Sequence, residues 1–240
     1  MKYNENEITV LERGKGWLIV YKPPTVSVHN NPDYDLVSSI AKLIKDKNLS
    51  KEISFDSEFG VNPVHRLDKE TSGLIVLACK KEVFKYLSNQ FMENSVGKKY
   101  TALVHGKLAN KDWKKWDSPL SKKAGGRKNP KGTGKKVQCE TQYRVIKDSQ
   151  HYSLIDIKLI TGRKHQIRRH AALSKNSVVC DNRYGSKKAN DFLKKSFGFT
   201  RLCLHSYSIS LEFMDGKHKT FEIDAVPDSI NDLIENDSKV

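Results

Sequence analysis

The chain predicts an α+β fold with a mixed, largely antiparallel central sheet, flanked by helices and by loops around one cleft. Strand-like segments outnumber helical ones, and most follow each other through short local connections. The 240 residues contain no internal repeat and no Pro/Ser-rich linker, so a single domain over residues 1–240 is expected.

The elements follow in order. Residues 17–21 (WLIVY) read as a strand, stopped by Pro23 and Pro24. Residues 36–47 read as an amphipathic helix, with Val37, Ile40, Leu43 and Ile44 on one face. Residues 74–78 (LIVLA) form an apolar strand, and 80–91 a helix with Phe84, Leu87 and Phe91 at helical spacing. Residues 99–104 alternate as a strand does. Residues 107–136 are rich in lysine and glycine and read as a long basic loop. Residues 141–146 and 152–160 look like paired strands, 163–173 like a helix, and 202–213 with 220–223 like closing strands. From Asn231 onward a polar, frayed end is expected.

A net charge of +15 with a 37% hydrophobic share implies a polyanionic partner, most simply nucleic acid or an anionic membrane surface. No apolar run approaches the about 18 residues of a membrane span. The first ten residues, MKYNENEITV, lack the pattern of a secretory signal. The four cysteines, Cys79, Cys139, Cys180 and Cys203, form no CxxC pair. That gives a zinc site little support and points to reduced thiols in a cytoplasm.

Residues 65–73, HRLDKETSG, carry the densest chemistry. Asp68 lies among His65, Arg66 and Lys69, and nearby positive charge favours an ionised carboxylate, as a nucleophile or base requires. The apolar strand that follows would anchor this loop directly on a sheet. The alternative is a surface turn holding a solvated ion pair. No P-loop and no GxGxxG follows a predicted strand, and no cysteine pair is spaced for a metal, so the chain shows no site for a nucleotide cofactor or a metal.

The motif also resembles the HRLDxxTSG signature of the RluA-like pseudouridine synthases. So, in family order, do WLIVYKPP, KKYTALVHG, TGRKHQIRRH, DNRYG and RLCLHS. The resemblance implies a cofactor-independent RNA pseudouridine synthase catalytic domain acting on ribosomal or transfer RNA. The matched opening begins near residue 8, so no N-terminal S4-type RNA-binding domain is expected, and a monomer is. Asp68 becomes the catalytic aspartate, acting at C1′, at C6 or on a sugar proton. Tyr100 becomes the residue that stacks on the target base and assists at C5. Arg163 reads either as a guanidinium partner of Asp68 or as a phosphate contact, and the family correspondence favours the first. Arg66 would fill the space vacated by a flipped base, and His65 would order the loop. Lys69 and Thr71 complete the candidate substrate-binding residues there. Lys122, Lys123 and Arg127 of the basic segment, with Arg168 and Arg169, would extend the RNA surface through phosphate contacts.

Two departures from the family pattern stand out. Cys180 occupies a position where glycine is common, and His170 and Ala171 lie in a helix that is often more aliphatic. An RNA-binding module without catalysis is the main competing reading. A glycosylase or hydrolase using Asp68 is another.

Overall fold

The structure, a computed structural model, describes residues 3–31, 33–46, 50–108 and 111–238. The chain forms two compact units, Met1–Gly97 with Ser206–Asp224, and Lys98–His205 with Ala225–Val240.

In the first unit the strand order is β1 (Thr9–Gly14), β2 (Trp17–Lys22), β4 (Ser72–Ala78) and β11 (Leu204–Glu212). A short β3 (Asn62–Pro63) pairs with β4, and β12 (His218–Glu222) pairs with β11. The pairings β1–β2, β2–β4, β3–β4 and β11–β12 are antiparallel. Every residue of β2 and β4 is buried. Trp17, Ile19, Tyr21, Leu74, Val76 and Ala78 pack with Val83 and Leu87 of α2 (Lys81–Met92). The alternate residues Leu18, Val20, Ile75 and Leu77 pack with Leu36, Ile40 and Ile44 of α1 (Leu36–Asp46). Strands covered on both faces have no polar side, which is why both read as unbroken apolar runs. Residue 47, expected to end the first helix, lies outside the described residues.

In the second unit the order is β5 (Gly97–His105), β10 (Tyr152–Leu159), β9 (Thr141–Asp148) and β6 (Lys114–Trp116), with antiparallel neighbours throughout. A separate antiparallel hairpin joins β7 (Leu120–Lys123) to β8 (Thr133–Val137). Helices α3 (Gln166–Leu173), α4 (Lys187–Phe197) and α5 (Asp228–Asp237) complete the unit. Among the described residues no helix is long and apolar enough to cross a membrane.

Three differences from the sequence reading have physical causes. The basic segment 107–136 holds β6, β7 and most of β8. Strand pairing uses backbone groups, so a strand such as TGKKV, exposed at all five positions, leaves no apolar signature. Second, α3 starts at Gln166, leaving Arg163 in the turn before it. Third, the chain beyond Asn231 continues a helix begun at Asp228, because Ile230, Leu233 and Ile234 share one face and are all buried. That i, i+3, i+4 spacing was legible within a polar stretch. Helix α4 was not anticipated.

Candidate functional site

Asp68 is half-buried on the loop between β3 and β4. The loop is tied down at several points. The Thr71 amide donates to the Asp68 carbonyl at 3.1 Å and closes a turn around the acid. The Val76 amide donates to His65 Nε2 at 3.0 Å, and the His65 ring stacks on Phe91 at 4.4 Å and 13°. Leu67 points into the core at 5% exposure, while Arg66 and Lys69 face solvent.

Beneath the loop lies Lys22, the last residue of β2 and fully buried. Its side-chain nitrogen donates to the carbonyls of Pro23 (2.9 Å), Val26 (2.8 Å) and Lys69 (3.0 Å). Burial brings its pKa down to about 7, while the carboxylates of Asp68 and Glu70 act in the opposite sense. Opposite Lys22 in the β2–β4 register stands Gly73, at φ +120°. A Cβ there would lie 2.1 Å from the Ser206 carbonyl oxygen. The glycine of TSG is therefore required by the close approach of a neighbouring backbone.

In the second unit Tyr100 is buried on β5 at 6% exposure, opposite Ile157 of β10. Arg163 is exposed in the turn that leads into α3. Gln166, the first residue of α3, fixes that turn. Its Oε1 accepts from the Arg163 amide at 2.9 Å and from the Thr161 hydroxyl at 2.8 Å. Its Nε2 donates to the Glu140 carbonyl at 2.9 Å and to Thr141 Oγ1 at 3.0 Å.

A family model described as RNA pseudouridylate synthase matches residues 16–173, a span that holds Asp68, Tyr100 and Arg163. The chain belongs to the RNA pseudouridylate synthase family. It is 33% identical, over 84% of its own length, to a ribosomal large subunit pseudouridine synthase C of Buchnera aphidicola, of which it spans 61%. It is also 33% identical to a ribosomal large subunit pseudouridine synthase D of Zymomonas mobilis, over 88% of this chain and 67% of the relative. The solved structure of human RNA pseudouridylate synthase domain containing 4 shares the fold. Its TM-score is 0.71 at 21% identity, over 92% of this chain and 90% of that one. Membership of the pseudouridylate synthase family and this fold agree with the α+β class read from the sequence.

Two residues expected on the RNA surface are placed elsewhere. Arg168 is 3% exposed and forms a two-pronged pair with the buried Asp181, Nε to Oδ2 at 2.8 Å and Nη2 to Oδ1 at 2.9 Å. Arg169 is fully buried and donates to the carbonyls of Pro130, Lys131, Ser121 and Lys164. Each guanidinium is consumed by internal acceptors, so neither is presented to a phosphate. Lys122, Lys123 and Arg127 are exposed in the β7–β8 hairpin region, the last within 3.5 Å of the Asn182 carbonyl. Thr71 is 2% exposed, with its hydroxyl unbonded among the described residues.

The sequence reading missed Lys22, Gln166 and Asp181 as positioning groups. The signals were slight. Lysine is rarely buried, and a glutamine that reaches back across a helix start resembles half of a capping box. Asp181 also accepts from the Arg183 and Tyr184 amides, both at 2.9 Å, and so orders DNRYG. Cys180, where the family often has glycine, sits at φ +58°, the left-handed region that glycine enters without strain.

Proposed function

We propose that this chain isomerises uridine to pseudouridine in structured RNA, with Asp68 as the catalytic carboxylate. The observation that carries the reading is the HRLD…TSG loop within the family-matched span, its acid held half-exposed over a buried lysine. The reaction breaks N1–C1′, forms C5–C1′ and exchanges the C5 proton for one on N1. It therefore needs a carboxylate at the sugar or base and a group that relieves C5 of its proton. Asp68 fills the first role and Tyr100 the second. Arg163 is the cation that serves the reacting carboxylate, and Arg66 stands in for the extruded base. The charge of +15 favours a polyanionic substrate. The relatives' names, ribosomal large subunit synthases, support ribosomal RNA as the substrate class. The four buried free cysteines fit a reducing cytoplasm, where the chain works as a monomer.

Tritium release tests the reading. Ribosomal and transfer RNA transcripts labelled at uridine C5 are incubated with the wild type and with Asp68→Asn. Label should enter water with the wild type alone, while the variant binds RNA within a few-fold of the wild type. Release by Asp68→Asn at the wild-type rate would remove Asp68 from the chemistry. Tight binding with no release from either protein would favour an RNA-binding module.

A further inference from the structure

Helix α4, Lys187–Phe197, has an inward face formed by Asn190 and Leu193 and an outward face of lysines and exposed aromatic rings. Lys188, Phe192 and Lys195 stand at i, i+4 and i+7, so a phenyl ring lies between two ammonium groups along one side of the helix. Phe192 is 58% exposed and Phe197 60% exposed, their rings meeting edge-on with centroids 6.0 Å apart. Lys187 and Lys194 form a second basic row, and Asp191 is the one acid of the helix. The helix is well fixed. The Ser186 hydroxyl accepts from the Ala189 amide at its start, and Gly198 ends it in the left-handed conformation at φ +63°.

Two large rings kept in water among lysines ask for an occupant. We propose that this face of α4 is a stacking platform for unpaired bases of the RNA substrate, with Lys188 and Lys195 on the flanking phosphates. The proposal rests on the reading that the chain acts on RNA. Alternation of cation and aromatic ring matches a strand that alternates phosphate and base. A second copy of the chain fits poorly, because a self-complementary contact would set four lysines against four. A membrane surface fits poorly too. The apolar side of an interfacial helix enters the lipid, whereas here Leu193, at 1% exposure, faces the protein and only two rings remain outside.

The test uses the full chain and a short labelled oligoadenylate. That probe has no uridine, so its binding is independent of isomerisation. Phe192→Leu with Phe197→Leu keeps the apolar bulk and removes the aromatic faces. It should weaken binding about tenfold or more, and replacing both by Trp should restore it. Lys188→Gln with Lys195→Gln should make the salt dependence shallower by about 1.4 in log–log slope. On labelled transcripts these variants should raise KM and leave kcat unchanged. Oligoadenylate bound equally well by the Leu pair would overturn the proposal, as would a loss that Trp does not restore. Preferential capture of the wild type by phosphatidylserine vesicles, or a dimer abolished by the Leu pair, would also overturn it. An absence of tritium release with these binding effects intact would refute the catalytic reading and leave the platform standing.

Discussion

The side-chain nitrogen of Lys22 donates to the carbonyl of Lys69 at 3.0 Å, so the end of an interior strand holds the residue next to Asp68. The same nitrogen also holds the Pro23 and Val26 carbonyls. One buried group therefore joins the Lys-Pro turn to the loop that carries the candidate catalytic acid.

Lys22→Met should strand three buried acceptors, costing about 2 kcal/mol or more, and should lower kcat at least tenfold as the loop loosens. The pH dependence has a definite sign. The lysine holds its proton up to 10.5 when unfolded and up to about 7 when folded. Between those values the unfolded state binds more protons, so this group makes stability rise with pH. Below about 7 its contribution is flat. Urea midpoints measured from neutral pH upward should rise more steeply in the wild type than in Lys22→Met, which keeps the contribution of Lys98, another lysine whose pKa burial lowers. Parallel curves for the two proteins would refute the assignment.

Gly73→Ala should be poorly tolerated. The new methyl would meet the Ser206 carbonyl oxygen at 2.1 Å, and the backbone stands at φ +120°. Strain and overpacking together predict a loss of more than about 3 kcal/mol. Thermal melts would show it, and a variant that melts with the wild type would mean that the two strands separate freely.

Arg169→Met should open the β7–β8 hairpin. The guanidinium holds carbonyls on both sides of it, at Ser121 and at Pro130 and Lys131. Leaving buried carbonyl acceptors without their donor costs about 1–3 kcal/mol each. Hydrogen exchange across 121–137 should accelerate well beyond that of β10. Equal protection in variant and wild type would show that the hairpin stands without it.

Replacing Lys122, Lys123 and Arg127 by Gln should act on binding and not on folding, since all three are exposed. Each phosphate contact removed should lower the log–log salt slope by about 0.7 to 0.9. An unchanged slope, read from RNA titrations at several salt concentrations, would take the hairpin off the RNA.

The sequence by itself determined what depends on local pattern. The double-faced burial of β2 and β4 is written in WLIVY and LIVLA. The Asp68 loop is written in a contiguous motif whose turn residues have local roles. The pairing of β9 with β10 follows from two strand-like segments separated by a short turn. The tertiary structure alone decided which charges face water. Arg168 and Arg169 look like surface cations beside Lys164, yet apart from the Lys164 carbonyl their acceptors come from Asp181 and from the 121–131 segment, 13 to 48 residues away. Lys22 likewise depends on a carbonyl 47 residues away. A charged side chain is buried only where folding assembles its acceptors, and no local period records which remote backbone will supply them.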